Sequence, residues 1–297
     1  MLFFLVQRLS KILTLVGLLI SFSTPAAAQV SNVSANVTGG AKPCSATGNM
    51  IDFPNGYANC TATATKWETK IYEMGVCSAH PFGSAKTRAS LDAAKCEVFY
   101  SETNPSNLDI AQLIGTSANL SGTMTLPPEG TYSHAYIVFD VVFTSAGDFT
   151  NNGTRYYNIA GGDAGTSGAA VDRVTTYINF GDPGSCVSGY IGDQTSGGEE
   201  MDVFLTNAQF VRSPTVGDLN GSSNCAKNDR LIVVVKGATP VVITPRTYSI
   251  NFNFKLTDGG VSFQDNDCPV HGGGGCDGVP DDFELGPIDG QFVISGN

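Results

Sequence analysis

The chain has 297 residues, with 16 Lys and Arg against 27 Asp and Glu, which gives a formal net charge of −11. An acidic surface of this kind repels phosphate backbones, so the composition disfavours nucleic-acid binding. The 35 Gly residues, together with frequent Ser, Thr and Asn, are typical of many short strands joined by tight turns.

The first 28 residues have the three parts of a secretion signal. Arg8 and Lys11 carry positive charge, residues 12–22 form a short apolar run, and residues 26–28 (AAA) are small enough for cleavage. The apolar run is shorter than the roughly 20 residues that span a bilayer, so we expect cleavage before Gln29 rather than an uncleaved anchor. The mature chain, residues 29–297, is then expected to be secreted, with no membrane span and a formal charge of −13, since only Arg8 and Lys11 are lost.

Alternation of apolar and polar residues predicts several strands. The clearest covers residues 248–256, where every second side chain is apolar, and the turn residues 258–260 (DGG) with the resumed alternation over 261–263 predict a hairpin. Residues 131–144 predict a strand with one apolar face, formed by Ala135, Ile137, Phe139, Val141 and Phe143.

Two further segments have strand patterns of different kinds. Residues 173–180 alternate so that Val174, Thr176, Ile178 and Phe180 are expected to be buried. Residues 231–235 are apolar throughout, which is typical of a strand covered on both faces. Weaker strand patterns occupy residues 66–76, 96–100, 154–159, 201–211 and 291–295.

These patterns predict an all-β protein. About ten strands separated by Gly, Asn, Asp and Pro indicate a β-sandwich, jelly-roll-like or otherwise, with little helix beyond a turn or two in residues 107–114. The Gly-rich residues 161–168 are the best internal boundary. We expect them to form a loop within one domain, and a seam between two lobes near residues 161–169 is the alternative.

The mature chain contains eight cysteines and the leader none. An even number in an exported protein predicts disulfides, and the absence of Cys/His clusters at zinc spacing disfavours a metal site built on them. Pairing of neighbours along the chain is our preferred connectivity, although sequence alone does not decide it. The cysteines are Cys44, Cys60, Cys77, Cys96, Cys186, Cys225, Cys268 and Cys276.

Catalytic motifs are scarce. The G-x-S-x-G motif of serine hydrolases is broken at Ala169, and the three histidines, His80, His134 and His271, limit nucleophilic catalysis. The carboxylates of Glu199, Glu200 and Asp202, and of residues 281–284, resemble the acid pairs of glycosidases, but neighbouring loop carboxylates are usually solvated. We therefore assign no catalytic residue.

A calcium site is a further hypothesis. Hard oxygen ligands crowd the turn-rich region after residue 264, as Ca²⁺ prefers, but the EF-hand spacing is absent and a plain acidic loop is the alternative. The candidate ligands are Asp265, Asp267, Asp277, Asp281 and Asp282.

Trp67 and the pair Tyr132 and Tyr136 are candidates for stacking on a sugar. Their alternative role is packing in the core or on the sheet surface, since aromatic residues are common there.

The segment from Trp67 to Cys96 has a recognisable residue pattern. Trp67 is followed by Lys70, Ile71, Tyr72 and Met74, and then by Cys77 and a variable insertion up to Cys96. It resembles an N-terminal pattern of secreted, cysteine-containing β-proteins of marine bacteria. The resemblance covers about a third of the chain and implies export and a β fold. Those proteins have no established activity to transfer.

Three functions remain as hypotheses. The first is a non-enzymatic secreted or cell-surface structural protein that self-assembles through an edge strand, for which residues 32–38 carry a suitable alternation behind Gly39 and Gly40. The second is an extracellular glycan-binding module assisted by calcium. The third is a polysaccharide-active enzyme using carboxylates.

Overall fold

The computed structural model describes residues 29–31, 42–44, 58–114, 120–151, 153–177, 190–196, 199–212, 228–237, 239–265, 279–286 and 289–296. Within these ranges the protein is mostly β, with two short 3-10 helices, Ala93–Lys95 and Ile110–Leu113. The strands are β1 (Gln29–Ser31), β2 (Lys42–Pro43), β3 (Ala58–Thr69), β4 (Ile71–Cys77), β5 (Cys96–Ser101), β6 (Leu108–Asp109), β7 (Thr123–Met124), β8 (Gly130–Tyr132), β9 (His134–Asp140), β10 (Val142–Asn151), β11 (Thr154–Asn158), β12 (Ala164–Gly165), β13 (Arg173–Thr176), β14 (Tyr190–Ser196), β15 (Glu199–Thr206), β16 (Arg230–Lys236), β17 (Val241–Ile243), β18 (Thr247–Lys255), β19 (Gly260–Asp265), β20 (Asp282–Leu285) and β21 (Asp289–Gly296).

The described strands form four sheets. A nine-stranded sheet has the order β12-β11-β10-β3-β19-β20, with β13 on β10 and with β2 and β6 on β3. A seven-stranded sheet has the order β14-β15-β16-β9-β4-β5-β7. The two small sheets are β1-β21-β18 and β17-β8. The described pairings are antiparallel except for β2 with β3, which is parallel.

Two segments of the chain pass between the nine-stranded and the seven-stranded sheet. β3 continues into β4 after Lys70, and β9 continues into β10 after Val141. The two breaks lie side by side, because Asp140 N–H donates to Lys70 O at 2.9 Å and Thr69 Oγ1 donates to Val142 O at 2.9 Å. The strand that the sequence predicted over residues 66–76 is therefore divided in two, and the one predicted over residues 131–144 is divided among β8, β9 and β10.

The apolar faces of these strands meet in a main core. It takes Trp67 from β3, Phe139 from β9 and Phe143 from β10, and it extends to Ile250 of β18 and Ile294 of β21. The predicted burial of alternate residues from Ala135 to Phe143 is confirmed. β16 is buried on both faces, as its continuous apolar run predicted.

The predicted hairpin between residues 248–256 and 261–263 is wrong. Both strands exist, but β18 pairs with β21 whereas β19 pairs with β3 and β20. Asp258 and Gly260 adopt positive φ angles of 56° and 87°, so the chain does turn sharply at this point. Such turn residues fix a change of direction, but the apolar faces of the strands choose the partners.

The face predicted for the segment after Asp172 is also wrong. Val174 is 64% exposed, whereas Tyr177 packs against Phe143 with ring centroids 5.7 Å apart. The guanidinium of Arg173 lies 6.0 Å from the ring of Phe283, so its stem belongs to the inward side as well. The ring of Tyr177 and the aliphatic stem of Arg173 have more apolar area to bury than Val174 and Thr176 have, so they take the positions that face inward. Ile178 and Phe180 lie outside the described residues.

The other strand predictions match described strands to within two residues, except that the strand predicted over residues 201–211 already ends at Thr206. Residues 107–114 contain the predicted helical turn, capped where Asp109 accepts from Ala111 N–H at 3.1 Å. The Gly-rich residues 161–168 contain β12, which pairs with β11. Among the described residues, no helix is long and apolar enough to cross a membrane.

Candidate functional site

Residues 78–95, which we call the strap, cover the outer face of the seven-stranded sheet. The strap begins after Cys77 and ends before Cys96, and the disulfide between these two cysteines closes it into a loop. Phe82 of the strap is fully buried and stacks on Phe204 of β15, with ring centroids 4.0 Å apart. An insertion that the sequence identified only as variable therefore contributes a buried aromatic ring to the fold.

Beneath the strap lies a second apolar cluster, distinct from the main core. We call it the outer cluster; it consists of Cys77, Phe82, Tyr136, Val138, Phe204, Ile232 and Val234. Successive side chains of a strand point to opposite faces of the sheet. β9 and β16 therefore place the side chains of one face in the main core and those of the other face in the outer cluster. The polar residues of the candidate site lie on this outer face.

Asp202 of β15 is the most deeply buried carboxylate of this face, with 1% of the residue exposed. Its Oδ2 lies 3.0 Å from His80 Nε2, and its Oδ1 lies 2.9 Å from Lys86 Nζ. Both partners belong to the strap. A buried carboxylate is costly without hydrogen-bond donors or a counter-charge, and the strap supplies both.

His80 uses both of its ring nitrogens. Nδ1 accepts a hydrogen bond from Phe82 N–H at 3.1 Å, so the proton of the neutral ring lies on Nε2, which donates to Asp202. A general base or a metal ligand needs a nitrogen lone pair that faces the reacting group. In His80 that lone pair, on Nδ1, already accepts a hydrogen bond from the backbone N–H of Phe82 in the strap.

His134 begins β9 beside this cluster. Its Nδ1 lies 2.8 Å from Ser133 Oγ, and its ring meets the ring of His80 edge-on at 5.3 Å. Burial is the largest cause that lowers the pKa of His134 to about 4, and the Lys236 ammonium acts in the same direction. The ring is therefore neutral at physiological pH. Ser133 Oγ also donates to Ser78 O at 3.0 Å, so its hydroxyl is directed at the strap.

The carboxylates of β15 do not form a free acid pair. Glu200 Oε1 lies 3.0 Å from Lys236 Nζ, and Asp202 is held by two strap residues, so each has a cation beside it. The side chain of Glu199 lies outside the described part of the structure. A glycosidase holds its two carboxyl groups on either side of the scissile bond, whereas these two carboxylates are engaged by side chains of the protein itself.

Glu73 and Tyr136 form a second buried pair on the same sheet. The Tyr136 hydroxyl donates to Glu73 Oε1 at 2.6 Å. Burial raises the pKa of Glu73, and burial together with the nearby carboxylate raises the pKa of Tyr136. The pair joins β4 to β9 across the outer face.

The three sequence-predicted stacking residues are buried and do not come together in a groove. Trp67 is 3% exposed and packs edge-on against Phe139 and Phe143 at 6.2 and 5.2 Å. Tyr132 is buried and donates its hydroxyl to Pro128 O at 2.8 Å. Tyr136 belongs to the outer cluster. Their rings occupy the alternative role, that of core residues.

Three of the five candidate calcium ligands are described, and they lie at the ends of two paired strands. Asp265 ends β19, and Asp282 begins β20 next to Asp281. Asp282 Oδ1 accepts from Phe283 N–H at 2.7 Å and lies 3.6 Å from Arg173 NH1. Within the described ranges, no group of three or more His, Cys, Asp or Glu residues is arranged to hold a metal ion.

Asp267 and Asp277 lie outside these ranges, so the calcium site stays a prediction. Millimolar Ca²⁺ should raise the melting temperature if the five carboxylates enclose an ion, because a ligand that binds only the folded state stabilises it. An unchanged melting curve with and without chelator would contradict the site.

The described cysteines pair with their neighbours along the chain, as predicted. Cys44 is bonded to Cys60, and Cys77 is bonded to Cys96; these ranges contain no free cysteine. The remaining four, Cys186, Cys225, Cys268 and Cys276, lie outside the described residues, as does His271.

Sequence reasoning missed the joint role of His80, Lys86 and Asp202. The only available signal was an acidic residue at position 202 on the same strand face as Phe204, since a charge in an otherwise apolar strand needs a partner. Asp202 is 122 positions from His80, and strand periodicity cannot identify a partner at that distance.

Comparison of the chain with family models, with curated proteins and with solved structures finds no match.

Proposed function

We propose that the mature chain is a non-enzymatic, secreted or cell-surface structural protein that self-assembles by exchanging strand β1. The observation that carries this proposal is the position of β1 at the edge of a sheet, next to β21. It makes three register pairs: Gln29 with Ile294, Val30 with Val293, and Ser31 with Phe292. Three pairs near the predicted start of the mature chain form a small contact that can detach and form again.

The same pairs can form between copies. Backbone hydrogen bonds do not distinguish the β1 of one chain from that of another, and addition of a terminal strand to a sheet edge is a common mode of association. An exchange of this kind is head-to-tail, so it builds a filament unless it closes into a ring. The alternating residues 32–38, which we expected to pair in this way, lie just after β1 and outside the described residues.

The outer face supports the non-enzymatic part of the proposal. Asp202 and Glu200 have cations beside them, and both ring nitrogens of His80 are engaged by the protein. These groups fasten the strap to the sheet, which is a structural task. Disulfides between neighbouring segments of a sheet suit a protein that must keep its shape outside the cell.

We further infer that the larger sheets pack as a β-sandwich, jelly-roll-like in its connections, and that the protein works outside the cytoplasm. The main core supports the first inference because it contains residues of both larger sheets. The two described disulfides support the second, because such bonds persist in oxidising compartments.

A cross-linking experiment tests the assembly. Val30 and Val293 are register partners, so Val30→Cys with Val293→Cys places two thiols opposite each other wherever β1 pairs with β21. If β1 is exchanged, concentrated protein oxidised in solution should give a ladder of covalent oligomers on a non-reducing gel. A single cross-linked monomer would show that β1 stays on its own chain.

Deletion of residues 29–40 provides the second arm of the test. We expect it to abolish assembly, measured by light scattering and negative-stain microscopy, and to leave a folded monomer. If full-length protein is strictly monomeric at high concentration and the deletion changes only its melting temperature, self-assembly is contradicted.

A further inference from the structure

We infer that the strap is a hinged cover, which opens as one unit from the outer face of the seven-stranded sheet and which Asp202 holds closed. The first argument is the separation of the two apolar clusters. Phe82, Phe204, Ile232 and Val234 belong to the outer cluster and to no part of the main core. Loss of the contacts under the strap therefore leaves the main core intact, which is the condition for a local opening.

The second argument is the location of the fastenings. Phe82 stacks on Phe204, and His80 and Lys86 bind Asp202; Phe204 and Asp202 both lie on β15. The rest of the strap is held by residues 207–212, which directly follow β15. The strap is thus fastened mainly to β15 and to the segment that leaves it, and Ser133 Oγ, just before β9, adds one bond to Ser78 O of the strap.

The contacts with residues 207–212 are mostly made by the backbone. Leu91 N–H donates to Phe210 O at 3.2 Å, and Arg212 N–H donates to Ala89 O at 2.7 Å. Arg212 NH1 adds a bond to Lys86 O at 2.6 Å, and the guanidinium lies 5.0 Å from the centre of the Phe204 ring. Arg212 therefore bridges the strap and the outer cluster.

The third argument concerns the ends of the strap. Cys77 and Cys96 are register partners on β4 and β5 as well as disulfide partners. An opened strap therefore stays attached at both ends. It can reclose without having to find its place again, because the covalent loop limits the conformations of the open state.

A change at Asp202 weakens two fastenings at once, since His80 and Lys86 both bind it. Asp202→Asn keeps the size of the side chain but removes the charge that faces Lys86 and changes one acceptor oxygen into a donor. Glu200→Gln is the matched control, because Glu200 lies two residues away on the same face and pairs with Lys236 rather than with the strap.

Hydrogen exchange by mass spectrometry on the full, oxidised mature protein tests the inference. In the wild type, amides of residues 78–95 should exchange faster than those of β3 and β19. Asp202→Asn should speed exchange of the strap by about 100-fold, the scale for breaking a buried ion pair, and leave β3 and β19 unchanged. Glu200→Gln should behave as the wild type does.

Limited trypsin digestion gives an independent readout, because the strap contains Lys86 and Arg88. A cut there produces a nicked chain that stays in one piece until the disulfide is reduced, and Asp202→Asn should be nicked faster. Two results overturn the inference: a wild-type strap that exchanges at the rate of β3, or an Asp202→Asn variant in which all strands exchange together. Lys86→Met, which removes one fastening only, distinguishes a weakened strap from a misfolded variant.

Discussion

At the scale of single residues, Gly75 and Tyr136 show how closely the outer face is packed. The two residues are register partners on β4 and β9, and a Cβ at Gly75 would overlap the ring of Tyr136. The ring lies across the glycine so that its hydroxyl reaches Glu73. Glycine is required here by close approach rather than by a backbone angle.

We predict that Gly75→Ala lowers the free energy of unfolding by about 1–3 kcal/mol, the usual cost of overpacking. Urea denaturation measures it. The cost should shrink when Tyr136→Leu is combined with Gly75→Ala, because the smaller side chain leaves room for the methyl group. Strict additivity of the two substitutions would contradict the overlap.

His134 gives a prediction on pH. Its pKa is lowered from 6.5 to about 4 in the folded protein, so below pH 6.5 the unfolded chain takes up a proton that the folded chain refuses. The contribution of His134 is complete above pH 6.5 and is lost as the pH falls towards 4. Since the ring is partly exposed, we expect a loss of about 1–2 kcal/mol rather than the full value of the shift.

Stability curves of the wild type and of His134→Asn between pH 7 and 4 measure this contribution, because Asn keeps a polar atom near Ser133 but does not titrate. Glu73 acts in the opposite direction, since its raised pKa favours the folded protein at low pH and that contribution is lost as the pH rises. The difference between the two curves isolates His134. Parallel curves would contradict the prediction.

At the scale of elements, the two described disulfides close loops of similar length, with sequence separations of 16 and 19. We predict that Cys77→Ala with Cys96→Ala costs about 3 kcal/mol, and that Cys44→Ala with Cys60→Ala costs about as much. Urea midpoints under oxidising conditions give both values. Only the first pair should also speed exchange within the strap, and equal exchange in the two variants would argue against a tether at that position.

The elements also show how far the sequence could be read. Alternation located β9 and β18, and a continuous apolar run located β16 with both faces buried. The alternation did not reveal that the strands are interrupted at Lys70 and at Val141. Neither residue is a Gly or Pro, and the alternation of apolar residues continues across each of them. The alternation also misjudged the face of β13, where the aromatic ring of Tyr177 outweighs Val174.

The candidate site was less accessible to sequence reasoning than the fold. Local patterns predict which face of a strand is inside, but the meeting of His80 with Asp202 depends on how the strap folds back over β15. Pairing of neighbouring cysteines was the preferred connectivity because each pair flanks an insertion, and the two described disulfides agree with it, although the sequence alone did not decide it. The aromatic candidates Trp67, Tyr132 and Tyr136 were proposed to stack on a sugar, with core packing as the alternative, and all three are buried; spacing alone could not decide between the two.

At the scale of the whole molecule, the even number of cysteines gives a prediction for the four cysteines outside the described ranges. We expect Cys186, Cys225, Cys268 and Cys276 to be oxidised, so that the protein contains four disulfides and no free thiol. Thiol labelling under denaturing, non-reducing conditions should then add no mass. Labelling of two or more cysteines would contradict both the disulfide framework and an oxidising compartment.

The pairing of β1 with β21 has a consequence for the order of folding. It joins Gln29 to Ile294, so the three-stranded sheet cannot be completed until nearly the whole chain has emerged. Contacts between such distant positions are slow to form, because the entropy of closing a long loop is lost before the strands are in register. A chain of this topology therefore stays incompletely folded until residues 289–296 are available to pair with β1 and β18.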